Sequence, residues 1–136
     1  MNTFIIKIVT PDGELFSGEA GAISVKCDTG EVQILKGHAD FFAPLGTGRA
    51  KLTLGDGSFR EASCSGGFLS VKGGVATVVA TTFEFADSID LERAEKAKEA
   101  AEEKIRTATD ARELKLAKAK LARALARISV GENNGR

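Results

Sequence analysis

Few side chains in this sequence could carry out acid–base, nucleophilic or metal chemistry: it holds one histidine, His38, and two cysteines, Cys27 and Cys64. Nucleophilic catalysis needs a base within reach of the nucleophile and a third group that orients the base. No pattern around either cysteine supplies these groups, and one histidine among scattered aspartates does not make a zinc or iron ligand set. We therefore expect a protein without catalytic residues or a metal site, in which both cysteines are small buried side chains.

The composition is typical of a globular protein. Of 136 residues, 43% are hydrophobic and 28% are charged, and the 19 basic residues equal the 19 acidic ones. A net charge of zero argues against an overall attraction to nucleic acid or anionic lipid. No apolar run reaches the roughly 20 residues that a membrane-spanning helix needs. Since no secretory signal is visible at the start, the cysteines are expected to be reduced, with one disulfide as the alternative.

The distribution of residue types divides the chain into two parts. All 8 phenylalanines lie at or before Phe85, whereas alanine and charged residues dominate residues 90–127. The first part consists of short β-rich runs separated by turn residues, such as those at 11–13 and 55–57. These runs cover residues 3–10, 22–26, 31–35, 49–54, 58–63, 68–71 and 75–81. The sequence predicts an α+β protein, with an antiparallel β-sandwich over residues 1–87.

Residues 88–136 have the apolar periodicity of two helices joined by a tight turn, which predicts an antiparallel helical hairpin. The apolar stripes are Ala94, Ala97, Ala101, Ile105 and Ala108, then Leu114, Ala117, Leu121, Leu125 and Ile128. Asp110 and Glu113 form a capping box that begins the second helix, and Gly131 is predicted to end it. Because alanines bury little area, we expect the hairpin to depend on docking against another surface, as a conformational switch does.

The two predicted helices differ in charge. Residues 90–106 carry six acidic and five basic side chains, whereas residues 110–127 carry two acidic and six basic ones. We assign the second helix to a surface that meets an acidic partner. The residues assigned to this surface are four of the six, Lys115, Lys118, Lys120 and Arg123. The alternative is a solvated helix face whose charges only keep the protein soluble.

Five segments, in order along the chain, resemble the ε subunit of bacterial and plastid F-type ATP synthases, whose mitochondrial counterpart is called δ. They are residues 11–18 (PDGELFSG), 30–39 (GEVQILKGHA), 65–71 (SGGFLSV), 89–94 (IDLERA) and 121–130 (LARALARISV). The resemblance implies a non-catalytic rotor subunit. In that family the sandwich lies against the γ subunit and the ring of c subunits. The hairpin either folds onto the sandwich or extends along γ into the α/β catalytic head, where it inhibits ATP hydrolysis.

The resemblance also implies a rotor interface. Glu31 and His38 match the region that faces γ and the c ring in that family. The alternative is an ordinary exposed loop with one carboxylate and one imidazole. Many relatives carry Pro-Leu-Leu where this chain has Asp40-Phe41-Phe42, so Phe41 and Phe42 are assigned either to the core or to the interface.

Residues 89–94 resemble the I/L-D-x-x-R-A motif that binds ATP in some members of the family. The implied nucleotide-binding residues are Ile89, Asp90, Arg93, Ala94, Arg123 and Arg127. An aspartate can accept hydrogen bonds from ribose or adenine, and arginine presents a planar fork to phosphate. The alternative is that Asp90 caps a helix and the arginines are packed or solvated. A further arginine of such members is replaced by Ala100, so ATP is expected as a weak regulatory ligand and not as a required cofactor.

The rival interpretation is a nucleotide- or nucleic-acid-binding β module with a helical tail. Against it, residues up to Ser88 carry seven basic and ten acidic side chains, and the chain lacks tryptophan and tyrosine. The expected partners are therefore γ, the c ring and the α/β head, and not nucleic acid. We expect a peripheral protein on the cytoplasmic face of a bacterial membrane, without insertion; the stromal side of a plastid thylakoid is the alternative.

Overall fold

Eight strands are followed by two helices, in the order that the sequence predicts. The computed structural model describes residues 2–133. The strands are β1 (Phe4–Thr10), β2 (Gly13–Ala20), β3 (Ala22–Cys27), β4 (Gly30–Leu35), β5 (Phe41–Pro44), β6 (Thr47–Thr53), β7 (Phe59–Lys72) and β8 (Val75–Phe85). A 3₁₀ turn (Ala86–Ser88) leads into helices α1 (Leu91–Thr107) and α2 (Ala111–Asn133). The predicted α+β class, a β-sandwich followed by two helices, is confirmed.

The strands form one continuous sheet that folds over into the two layers of the sandwich. Its order is β2-β1-β8-β7-β6-β3-β4, and β5 also pairs with β7. The long strand β7 takes part in both layers, because its first half pairs with β6 and its second half with β5. Gly66 and Gly67, with φ of 73° and 89°, lie where β7 changes partner. Glycine is suited to this bend because it adopts positive φ without a steric penalty.

The apolar core lies between the two layers. Along β1, Phe4, Ile6 and Ile8 are buried while Ile5 and Lys7 are exposed, the alternation of a strand with one face inward. The largest fully buried side chains of the sandwich are Ile6, Ile8, Ile23, Ile34, Leu52 and Leu69. Every residue of the core cluster lies at or before Phe85. The sandwich therefore has a core that does not include the hairpin.

The structure differs from the predicted strands in three ways. Strands β2 and β5 were not predicted: β2 is an edge strand with mostly exposed side chains, and β5 has only 4 residues. The runs 58–63 and 68–71 form the single strand β7. The prediction of a wholly antiparallel sheet is wrong at one pairing, because β1 and β8 run parallel. These two strands are distant in sequence, so no hairpin turn forces them to run antiparallel.

Both helices begin at an aspartate; the sequence predicts the cap at Asp110 and gives the cap at Asp90 as an alternative. The Asp90 carboxylate accepts a hydrogen bond from the Arg93 amide at 3.1 Å, and the Asp110 carboxylate accepts one from the Glu113 amide at 2.8 Å. The Glu113 carboxylate accepts from the amide and hydroxyl of Thr109, and these bonds lower the pKa of Glu113. In a capping box the glutamate side chain accepts from the amide of the capping residue. Here the Glu113 side chain accepts from Thr109 and not from Asp110.

The prediction that Gly131 ends the second helix is wrong, because α2 continues to Asn133. A Cβ atom at Gly131 would lie 2.7 Å from Leu91 Cδ2 and 3.2 Å from Ile89 Cγ2. The glycine is therefore explained by a close approach between the end of α2 and the segment that leads into α1.

In the second half of α2, the buried residues differ from the predicted apolar stripe. Ala117 is buried as expected, but Leu125 is 46% exposed and Ala124 takes the inward position. The buried residues of α2 are Ala117, Ala124, Ala126 and Val130. The shift arises because α2 faces two surfaces, contacting α1 and also strands β6 and β7.

Candidate functional site

The predicted rotor interface is centred on the connection between β4 and β5. His38 is half-buried there, and its Nδ1–H donates to the Ala39 carbonyl at 2.7 Å. The imidazole meets the Phe41 ring edge-on, with centroids 5.7 Å apart. The structure therefore brings His38 and Phe41 together.

The two phenylalanines that follow this connection have different environments. Phe41 is half-buried and packs against the core, whereas Phe42 is 65% exposed. The Phe42 ring lies 5.2 Å from that of Phe68 on the neighbouring strand β7, and Phe68 is itself 36% exposed. Phe41 is thus a core-side residue, and Phe42 with Phe68 forms an exposed aromatic pair. Sequence reasoning missed Phe68; its signal was alternation with the buried Leu69.

Glu31 lies at the other end of β4 from His38. Its side chain is exposed, and it lines a shallow depression with Arg49 and Glu61, which form an ion pair at 2.7 Å. Glu31 and Leu35 are four residue steps apart along the extended strand, a span of about 13 Å. The structure therefore places Glu31 near the start of β4 and His38 beyond its end, without bringing them into contact.

The predicted nucleotide-binding residues meet at the junction of the hairpin and the sandwich. A depression of about 460 Å³ is lined by Glu84, Ser88, Asp90, Arg93, Ala94, Ala97 and Arg127. Four of the six predicted residues, Asp90, Arg93, Ala94 and Arg127, are in this set. Asp90 also caps α1, so the cap that we gave as the alternative is present at the same place.

Arg127 and Glu84 join the hairpin to the sandwich across this depression. Arg127 Nε donates to Glu84 Oε1 at 2.7 Å, and the side chains are 27% and 35% exposed. Sequence reasoning missed Glu84. Its signal was a charged residue between the buried Phe83 and Phe85 on β8, which places its side chain on the face away from the core.

The remaining two predicted residues lie outside the lining of the depression. Arg123 is half-buried one helical turn before Arg127. Ile89 is half-buried in the segment that approaches Gly131, and its amide donates to the Ala86 carbonyl at 3.2 Å. Ile89 therefore contributes to the packing of the junction.

The sheet face that α2 covers carries small polar side chains. Ser63 and Ser65 alternate along β7 with the core residues Ala62 and Cys64, so they point away from the core, yet they are only 4% and 7% exposed. Because α2 lies against β6 and β7, we attribute their burial to α2. The Ser65 hydroxyl is hydrogen-bonded to that of Thr47 at 2.9 Å. The sheet face beneath the hairpin can therefore tolerate water.

The predicted basic surface is exposed along α2. Lys115, Lys118 and Lys120 are exposed and Arg123 is half-buried. Leu116 and Leu125, which are 53% and 46% exposed, lie on the same helix. With the hairpin folded onto the sandwich, α2 therefore exposes both lysine and leucine side chains to solvent.

The two cysteines are free thiols in the core, as the sequence predicts. Burial, with a smaller contribution from nearby Cys27, raises the pKa of Cys64 to about 12. Burial, with a smaller contribution from Asp28, also raises the pKa of Cys27. Thiols with a raised pKa are poor nucleophiles at neutral pH, because the thiolate is the reactive form.

The raised pKa of Cys64 predicts a loss of stability at high pH. The unfolded thiol ionises near its ordinary pKa of 9.0, but the folded thiol ionises only near 12. Its contribution to the free energy of unfolding is therefore complete below pH 9 and is lost as the pH rises towards 12, by up to about 1.4 kcal/mol per pH unit. Urea unfolding from pH 8.5 to 11 should show a flatter decline for Cys64→Ala than for the wild type. Identical slopes would contradict this assignment.

Residues 2–133 contain neither a cluster of metal-ligating side chains nor a helix that could cross a membrane. Within this range, no group of three or more histidine, cysteine, aspartate or glutamate side chains is arranged to hold a metal ion. Neither described helix is both long and apolar enough to cross a membrane.

Both parts of the chain match family models. Residues 3–86 match the β-sandwich domain of the ATP synthase delta/epsilon chain, and residues 87–132 match its long α-helix domain. A protein of Bacillus velezensis called ATP synthase epsilon chain is 38% identical over 133 residues, which are 98% of this chain and 100% of the relative. A protein of Ruminococcus albus with the same name is 38% identical over 96% of this chain and 97% of its own length.

The fold is also found in solved structures. It is similar to a chain in the cryo-EM structure of Euglena gracilis mitochondrial ATP synthase (OSCP/F1/c-ring in rotational state 1). The TM-score is 0.79 at 23% identity, over 98% of this chain and 82% of that one. A chain of the Tetrahymena thermophila central stalk/c-ring structure gives a TM-score of 0.66 at 13% identity. With two family models that together span residues 3–132 and relatives that match along their full length, this chain belongs to the ATP synthase delta/epsilon chain family.

Proposed function

We propose that this chain is a non-catalytic central-stalk subunit of an F-type ATP synthase, in which the sandwich binds the γ subunit and the c ring. Its hairpin restrains ATP hydrolysis by leaving the sandwich and extending into the α/β head. The observation that carries this proposal is that the sheet face under α2 is polar at Ser63 and Ser65 and that three of the four buried side chains of α2 are alanines. Family membership and the names of the full-length relatives support the assignment to the complex. The complex would hold the chain at the cytoplasmic face of a bacterial membrane.

A releasable hairpin must expose little apolar surface when it leaves. Ser63, Ser65 and Thr47 form polar parts of the sheet face that α2 covers, and water can replace their contacts. Three of the four buried side chains of α2 are alanines, which cost little to expose, and Val130 is the one larger apolar side chain among them. The Arg127–Glu84 pair is partly exposed, so its net contribution is modest.

The sandwich can remain folded while the hairpin moves, because its core cluster contains only residues up to Phe85. The test uses the soluble catalytic head stripped of this subunit. ATP hydrolysis is measured before and after addition of the full chain or of a truncation that ends at Ser88. We expect the full chain to slow hydrolysis and the truncation to leave it unchanged.

Other outcomes of this experiment are equally informative. Slowing by both proteins would place the effect in the sandwich and contradict a regulatory hairpin. No effect from either protein would call for a direct assay of binding to γ. Failure to bind γ would contradict the assignment to the rotor.

The basic surface of α2 predicts that inhibition depends on charge. Replacing Lys115, Lys118, Lys120 and Arg123 with glutamine should weaken inhibition about four-fold or more, because each exposed ion pair with an acidic partner contributes about 0.2–1 kcal/mol. Inhibition by the wild type should also weaken as salt is raised. Hydrolysis assays across a titration of the chain measure both effects.

The matched control removes four positive charges from the other helix. Its changes are Lys96→Gln, Lys98→Gln, Lys104→Gln and Arg106→Gln. This variant should inhibit like the wild type. If the α2 variant inhibits as strongly as the control, or if both variants lose inhibition to the same extent, the charges of α2 have no specific acidic partner.

A second candidate function is weak ATP binding at the junction. It is favoured by the depression that brings Asp90, Arg93 and Arg127 to one place beside Glu84. Arg93 and Arg127 would meet phosphate groups, and a carboxylate would accept from ribose or adenine. ATP held there would bridge the hairpin and the sandwich and favour the folded-down state.

Titration calorimetry with millimolar MgATP tests this second function. We expect saturable heat from the full chain and about ten-fold weaker binding by Arg93→Gln. That substitution keeps the helix cap, because Asp90 accepts from the backbone amide of residue 93. Lys96→Gln, one turn away and outside the depression, is the control. Absence of heat from the wild type would exclude this function at cellular concentrations.

A further inference from the structure

The connection between β4 and β5, residues 36–40, is held in shape near its tip by hydrogen bonds of its own. The His38 amide donates to the Leu35 carbonyl at 3.2 Å, and Gly37 between them has a φ of 86°. The His38 ring donates to the Ala39 carbonyl at 2.7 Å. These local bonds shape the tip, but they do not fix it relative to the rest of the sandwich.

Asp40 connects residues 36–40 to another part of the sandwich. Its Oδ1 accepts a hydrogen bond from the Gly73 amide at 3.0 Å, a contact between residues 33 apart in sequence. Gly73 and Gly74 form the two-residue turn of the β7–β8 hairpin, with φ of 56° and 81°. Positive φ at both positions is the signature of a type I′ turn, in which the first amide points away from the strand ladder. The Asp40 carboxylate thus accepts from an amide that the turn leaves available.

The hydrogen bond from Gly73 to Asp40 affects the predicted rotor interface because Asp40 lies next to it in the chain. Asp40 is the last residue before β5, and the next residue, Phe41, pairs with Val71 and meets the His38 ring edge-on. Anchoring Asp40 on the β7–β8 turn therefore fixes where β5 begins and where the His38 imidazole lies.

We propose that Asp40 is a positioning residue of the rotor interface: its carboxylate ties residues 36–40 to the β7–β8 turn and so presents His38 to the γ–c ring complex in one orientation. This inference rests on the proposed function, because it takes the γ–c ring complex as the partner. Asp40 acts through the loop, and no contact of its own with the partner is required. Preorganising a loop in its bound shape increases affinity because less order has to be imposed on binding.

The test compares Asp40→Ala with Asp40→Asn, which keeps an acceptor oxygen at the same place. The full-length variants are titrated against immobilised γ–c ring complex. We expect Asp40→Ala to weaken binding about 3- to 10-fold, the effect of one net hydrogen bond, and Asp40→Asn to stay within about two-fold of the wild type. Asp56→Ala is the control, since Asp56 Oδ1 accepts from Ser58 within its own turn. It should leave binding unchanged.

A second readout does not need the partner. In the free chain, Asp40→Ala should speed amide hydrogen exchange at Gly73 and lower the thermal unfolding midpoint by no more than about 2–6 °C, the effect of one lost hydrogen bond. Wild-type affinity of Asp40→Ala would overturn the proposal, as would equal weakening by Asp40→Asn. If the wild-type chain itself does not bind the γ–c ring complex, the proposed function fails, and the role of Asp40 fails with it.

Discussion

Replacing Gly67 with alanine should destabilise the sandwich by about 3 kcal/mol or more, the largest loss we expect from a single substitution. Two effects add at this position. The φ of 89° is strained for any residue with a Cβ atom, and that atom would overlap the Val79 carbonyl oxygen and lie 2.8 Å from the carbonyl carbon. The overlapped atoms belong to the backbone of the adjacent strand β8, so they cannot move aside without breaking the pairing of β7 with β8. Urea unfolding of the full chain measures the loss.

Gly57→Ala separates the two effects. Gly57 has nearly the same φ, 90°, but nothing lies within 4 Å of the position that its Cβ would take. Its replacement should therefore cost only the backbone strain, about 1–2 kcal/mol. If Gly67→Ala costs no more than Gly57→Ala, the close approach at the corner of β7 is not a constraint on the fold.

Gly131→Leu is expected to release the end of α2 from the segment that leads into α1. A side chain at Gly131 would collide with both Leu91 and Ile89, and overpacking of this kind costs about 1–3 kcal/mol. Leucine favours helix over glycine by nearly 1 kcal/mol, so α2 itself should not be weakened. The closed hairpin should therefore lose about 5- to 150-fold in population relative to open forms. If the extended hairpin is the inhibitory state, the variant should inhibit ATP hydrolysis at lower concentrations than the wild type.

The neighbouring substitution Glu132→Leu is the matched control. Glu132 is exposed on the same turn of α2, so its replacement adds the same side chain without a collision. Limited proteolysis of the hairpin reports opening without reference to any partner. Equal protection of both variants would show that the packing at Gly131 does not hold the hairpin closed.

Much of the fold follows from local chemistry that is visible in the sequence. The β-rich run of β1, the glycine turns and the aspartate cap at Asp110 each depend on neighbouring residues, and each was predicted; the cap at Asp90 was given as an alternative. The strand β2 was missed because an edge strand has little apolar periodicity. The parallel pairing of β1 with β8 was missed because strands so distant in sequence have no local signal for their direction.

Gly131 shows why a local rule can fail. A glycine near the end of a predicted helix commonly ends it, and this expectation took no account of what would lie opposite the residue. In the structure the helix continues through Gly131, and Leu91 and Ile89 approach the glycine from another part of the chain. Nothing in the local sequence could report that contact.

For the candidate sites too, only what depends on local sequence was predicted. The motif at 89–94 placed Asp90 and Arg93 correctly at the start of α1, because a helix fixes their spacing. Glu84 and Phe68 were missed because their roles depend on partners from other elements, Arg127 and Phe42. The bond from Gly73 to Asp40 was invisible for the same reason.

The movement of the hairpin relative to the sandwich can be measured as a distance. Labels at Ser17→Cys on the sandwich and Ala111→Cys on α2 would report it by pulsed electron spin resonance. Both positions are exposed. The native cysteines should stay unlabelled at neutral pH, because both are buried and burial raises the pKa of each thiol. A second pair at Ser17→Cys and Asp56→Cys, both on the sandwich, is the control.

We expect a single distance for the hairpin pair in the free chain. Bound to the stripped catalytic head, the chain should show a second distance longer by roughly 20 Å or more, since α1 alone is about 25 Å long. The control pair should give the same distance in both states. A hairpin distance that is identical in the free and bound chain, together with slowed hydrolysis, would contradict the account.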